Sequence, residues 1–95
     1  MTETTQTEAA RVDLLYPLKT PNGEVKTIHF RRGKAKDFVA AQRIESDPAR
    51  RELLLMGMLS HEKLTMEDME ELDLADLVNV QATFQELFVA KSQSL

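Results

Sequence analysis

The stretch "LYPLKTPNGEVKTIHFRR", Leu15 to Arg32, restricts this chain more than any other. It reads as two short strands around a turn, and nearly everything after it reads as helix. In "TPNG", Pro21 sets φ for the first corner position, Asn22 suits the second, and Gly23 is free to take positive φ. A lone hairpin is marginal in water, so the helices must cover one of its faces. Alternation puts Val12, Leu14 and Tyr16 on one face of the first strand, and Ile28 and Phe30 on one face of the second. Pro17 cannot donate a ladder hydrogen bond, which suits an edge strand or a strand end. Val25 breaks the parity, as a bulge near the turn would allow.

Helical spacing follows. "KAKDFVAAQRI" (Lys34 to Ile44) carries Ala35, Phe38, Val39 and Gln42 along one stripe. Asp47 can cap the next helix, with Pro48 in its first turn and its end near Ser60. Thr65 with Asp68 signals a short turn of helix, and Asp73 before "LADL" starts the last one, to about Ala90. Leu77, Val80, Phe84, Leu87 and Phe88 form its main stripe. The expected fold is α+β, a β-hairpin on a bundle of three to four helices in the order β-β-α-α-(short α)-α. Leu14, Tyr16, Ile28, Phe30, Phe38 and that last stripe are the expected core.

Ninety-five residues suffice for one small domain, here placed at residues 12–90. Residues 1–11 are polar, acidic and aperiodic, and are expected to be a disordered leader; residues 91–95 are expected to be a disordered end. No secretory h-region is visible, and the longest apolar run, "LLLMGML", is far short of the roughly 20 residues of a membrane span. The absence of cysteine removes disulfides, thiolate metal sites and cysteine nucleophiles together.

Little points to chemistry. His29 and His61 lie on different elements without helical pairing, so they read as solvated or structural residues and not as metal ligands. Glu67, Asp68, Glu70, Glu71, Asp73 and Asp76 lack the glycine and spacing of a calcium loop, and read as a solvated helical face. No Gly-rich phosphate cradle and no serine elbow is present. The expectation is a non-enzyme with no catalytic residue, cofactor or metal.

Three features bear on partners. Arg31, Arg32, Lys34 and Lys36 cluster where the second strand meets the first helix, but a net charge of −4 argues against a general nucleic-acid binder. The last helix is apolar over more than one stripe, with Leu74, Val78, Ala82 and Val89 beside the main line. Met56, Met58, Met66 and Met69 add flexible thioethers, which fill cores and line adaptable surfaces. Met56, Met58, Val78 and Val89, with Arg31 and Arg32, are the candidate partner-binding residues. Self-association or an apolar helical partner fits them.

The order "P…NGEVKTIHFRR…KDF" followed by "LLLMGMLSHEKLTMEDMEELDLADLVNVQATF" resembles the small tail assembly chaperones of Mu-like and related contractile-tailed bacteriophages, the E/41/14 group. The matching positions are Pro17 or Pro21 with Gly23, Arg31 and Arg32, Asp37-Phe38, Leu64-Thr65, Leu72, Asp76 and Phe84. Gly33 departs from the pattern, which has proline after the arginines. The resemblance implies a non-enzymatic protein of the infected bacterial cytoplasm, absent from the finished virion. It implies binding to the tape measure protein, kept soluble while tail tube subunits polymerise around it. It also implies a longer frameshifted form that would reach the tail tube protein. Two other readings stand beside it: a small nucleic-acid-binding regulator or adaptor using Arg31 to Lys36, and a subunit that stays in the finished assembly.

Overall fold

The structure is a computed structural model and describes residues 9–93, with side chains described through residue 87. Its order is β1 (Ala10–Thr20), β2 (Gly23–Phe30), α1 (Ala35–Ile44), α2 (Pro48–Leu59), α3 (Met66–Glu70) and α4 (Leu74–Gln93). This is an α+β fold. β1 begins inside the stretch expected as a leader, whose residues 1–8 lie outside the described residues. α4 runs beyond Ala90 to Gln93.

The turn follows its chemistry. Gly23 takes φ +127°, the Asn22 N–H donates to Thr20 Oγ1 at 3.2 Å, and Thr20 Oγ1 donates to the Gly23 carbonyl at 2.8 Å. The two strands pair antiparallel, but not evenly. Asp13 faces Thr27 and Leu18 faces Val25, so Leu14 to Pro17 stand opposite Lys26 alone. This wide bulge lies in mid-strand, away from the turn where the parity of Val25 suggested one. It is the reason Val25 and Ile28 both reach the core from positions of opposite parity.

The outer edge of β2 is also occupied. Phe30 bridges Ser60, the Arg31 N–H donates to the Leu59 carbonyl at 2.9 Å, and the His61 N–H donates to the His29 carbonyl at 2.7 Å. The Leu59–His61 segment thus adds one isolated bridge to the edge of the two-stranded sheet, and the hairpin is not alone. Val12, Leu18, Ile28 and Phe30 close over Met56, Leu59, Leu64, Met69, Val80, Phe84 and Leu87 in one buried cluster. Phe30 and Phe84 meet with ring centroids 5.5 Å apart at 56°. Full burial of a Phe side chain contributes about 1.5–3 kcal/mol, so this pair ties β2 to α4 firmly. Leu14 and Leu77 are half-buried against the cluster.

Two expected core residues lie elsewhere. Tyr16 is 58% exposed, because the bulge turns its side chain outward. Phe38 is 47% exposed, because α1 packs on α2 through Ala41 and leaves its Phe38–Val39 side open. Phe88 lies outside the described side chains.

The caps read from the sequence are in place. Asp47 accepts the Arg50 N–H at 3.0 Å, Thr65 and Asp68 close a capping box, and Asp73 accepts the Ala75 N–H at 3.0 Å. Gly57 lets α2 approach the chain after it. A Cβ at this position would run into the Leu64 carbonyl oxygen. Buried Ser60 completes that corner, its Oγ donating to the Gly57 carbonyl at 2.6 Å and accepting the Leu64 N–H at 3.1 Å.

Candidate functional site

The bulge is held by a residue read from the sequence as solvated. Asp76 is fully buried in the first turn of α4. Its Oδ1 accepts the Leu15 N–H at 2.8 Å and its Oδ2 accepts the Tyr16 N–H at 2.9 Å. Successive N–H groups of a regular strand point to opposite sides; the bulge turns these two the same way, where one carboxylate takes both. The helix N-terminus favours the negative group. Hydrogen bonds thereby replace the water that burial removes. The consequence is a rigid β1–α4 corner from which Leu15 and Tyr16 project into solvent.

The two histidines, on different elements and read as solvated or structural, come together. Their rings stack with centroids 6.3 Å apart at 20°. Glu62 accepts the His29 backbone N–H at 3.0 Å, and its other oxygen lies 2.6 Å from His29 Nδ1. This fastens the segment after α2 to β2. Among the described residues no group of three or more His, Cys, Asp or Glu is placed to hold a metal ion.

The basic cluster is largely engaged by its own chain. Arg31 grips Asp37 with two guanidinium contacts of 3.3 Å, and Asp37 also accepts the Lys34 N–H at 2.9 Å, capping α1. The Arg31 hydrogen bonds, with help from the Lys34 N–H, hold the Asp37 carboxyl below its ordinary value against the opposing effect of burial. Arg32 donates to the Leu87 carbonyl at 3.1 Å. The two arginines join β2 to α1 and α4. That leaves less of them for a phosphate backbone.

What remains outward is apolar. α1 and α2 enclose a cleft of about 260 Å³ whose floor is Phe38, Leu55 and Leu59, with the bare backbone of Gly33 at its mouth. Val39 and Ile44 extend this apolar surface along α1. On α4, Leu74 and Val78 face away from the core, Val78 at 58% exposure. Of the candidate contact residues, Met58 is half-buried and Val89 lies outside the described side chains. Met56, expected at the contact surface, is instead completely buried, filling the core, and no partner can reach it. The cleft was not read from the sequence, because the stripe of α1 pointed to Phe38 as core.

The family model for phage tail assembly chaperone proteins, E, or 41 or 14, matches residues 11–89 of the chain. The chain belongs to that family. No curated protein and no solved structure matches it. The match runs from β1 through most of α4, so it takes in the bulge, the Asp76 anchor and the cleft of this tail assembly chaperone. Several positions that carried the resemblance have structural work. Arg31 and Asp37 make the α1 cap, Asp76 holds the bulge, and Phe84 meets Phe30. In this chaperone Gly33 passes close to the Leu59 side chain, so even a small side chain there would press on the cleft floor. Among the described residues, no helix is long and apolar enough to cross a membrane.

Proposed function

We propose that this tail assembly chaperone binds the tape measure protein and keeps it soluble while the tail tube forms. The observation that carries the reading is the outer stripe of α4. Val78 lies exposed on the side away from Val80 and Phe84, so one helix has an inward apolar face and an outward one. Val78 and half-buried Met58, with Val89 further along the helix, are the proposed contact residues. A long client with unpaired apolar helix is an aggregation hazard until it is enclosed. An acidic coat of small proteins laid along it would hide that surface and stay dispersed. The role is non-enzymatic and belongs to the infected host cytoplasm, with copies self-associating on the client and leaving before the virion is complete. A frameshifted longer form would add the link to the tail tube protein. The engagement of Arg31 and Arg32 within the fold speaks against the nucleic-acid reading.

The test is co-expression with affinity-tagged tape measure protein from the same phage, followed by size exclusion. Co-elution of the two as one complex is the expected result. A tape measure protein that elutes alone from a culture rich in the chaperone overturns the reading.

A further inference from the structure

Charge is divided along this chain, and the fold pairs only part of it across the divide, as where Arg50 meets Glu70 at 2.6 Å. From Lys26 to Arg51 there are eight basic and three acidic residues; from Glu62 to Asp76 there are seven acidic and one basic. Each half carries an apolar feature left open to water. In the basic half it is the α1–α2 cleft, which continues past Phe38 and Leu55 to Arg51. Its acidic wall residues are occupied: Asp37 holds Arg31, and Glu52 accepts from Gln81 Nε2 at 3.2 Å. Its cations, Lys34 at one end and Arg51 at the other, form no ion pair among the described residues. In the acidic half the feature is the α3–α4 corner. There Leu74 is 73% exposed, with Asp73 next to it and Glu71 three residues before it in the chain, and neither acid forms an ion pair among the described residues.

We infer that the α3–α4 corner of one copy docks in the α1–α2 cleft of the next. Leu74 enters the apolar floor between Phe38 and Leu55, while Glu71 and Asp73 meet Lys34 and Arg51. The charge complementarity between two open apolar patches of one chain selects a second copy as the occupant. Because the two patches differ, the contact is heterologous, and each added copy leaves one cleft and one corner free. A contact built on one apolar side chain and a pair of charges lies at the weak end of protein interfaces, so assembly depends on concentration, and its charged rim makes it sensitive to salt. The inference specifies the self-association named in the proposed function, and it involves no client. The purified protein alone tests it, so its failure leaves the tape measure reading standing, and the reverse also holds.

The experiment is sedimentation of purified chaperone with Phe38→Asp, which spoils the cleft, and Leu74→Asp, which spoils the corner. Both positions are exposed, and Leu74→Asp adds an acid to a helix N-terminus, where it is tolerated. The wild type is expected to grow in mass with concentration, less so at high salt. Each variant alone should lose at least about tenfold in association, close to 1.4 kcal/mol. An equal mixture of the two should form dimers and nothing larger, since one intact cleft meets one intact corner. If thermal melts show Phe38→Asp unfolding, exposed Lys34→Glu replaces it as the cleft variant. A wild type that stays monomeric at high micromolar concentration, a variant that assembles as wild type does, or a mixture that fails to pair overturns the inference.

Discussion

Asp76 and Tyr16, sixty residues apart, are joined by a 2.9 Å hydrogen bond from the Tyr16 backbone N–H to a carboxylate with no exposure to solvent. The same carboxylate takes the Leu15 N–H, so α4 dictates the shape of β1 at the point where the ladder is interrupted. Asp76→Ala leaves two donors without their acceptor. At roughly 1–3 kcal/mol for each unsatisfied donor, part of it recovered by water, the cost is about 2–4 kcal/mol. Asp76→Asn should fall between, because its NH₂ group would face one of the N–H donors. Urea unfolding of both variants measures this; equal stability to wild type would mean the bulge holds itself.

Gly57→Ala should destabilise the chaperone although the site is helical. An exposed helical Gly→Ala exchange gains about 1 kcal/mol. Here the added Cβ meets the Leu64 carbonyl oxygen, backbone that cannot step aside cheaply. A net loss of about 1–3 kcal/mol is expected, by comparison with overpacked cores. A raised melting temperature would contradict it.

Phe84→Ala and Tyr16→Ala should separate cleanly in thermal melts. Phe84 is buried against Phe30, and such truncations cost about 3–5 kcal/mol, a large share of the total for a small domain. Tyr16 projects into water, so its loss should stay within about 0.5 kcal/mol.

The Arg31–Asp37 pair should show in acid. Asp37 has a lowered pKa in the folded chain, chiefly through its hydrogen bonds from Arg31. Its stabilising contribution is therefore fully present above the ordinary aspartate value of 3.8 and fades as pH falls through the lower folded-state value. Asp37→Asn should lower stability at neutral pH and narrow its gap to wild type in strong acid. Guanidinium unfolding at pH 7 and in acid checks this, and a gap that widens in acid would contradict it.

Local chemistry was the legible part of this fold. The "TPNG" turn, the caps at Asp47, Thr65 and Asp73, and the inward stripe through Val80 and Phe84 are each set by neighbours in sequence, and pattern reads them. The bulge was not legible, because alternation in "VDLLYPL" does not reveal that four residues will face one on the partner strand. Asp76 was misread with its acidic neighbours for a related reason. On a helix wheel a carboxylate that will be buried looks like one that will not, and its partners lie sixty residues away. Phe38 and Met56 exchanged the roles expected of them. Apolar character was plain at both, but which of two apolar faces meets the core is settled by tertiary packing.

Binding of the client is read in the soluble fraction of co-expressed tape measure protein. It is read with wild-type chaperone, without chaperone, and with Val78→Asp, whose exposed position should keep its melting temperature within a few degrees. Tape measure protein should be soluble with wild type, and should precipitate both without chaperone and with a folded Val78→Asp. A tape measure protein that is equally soluble with and without the wild-type chaperone would contradict it.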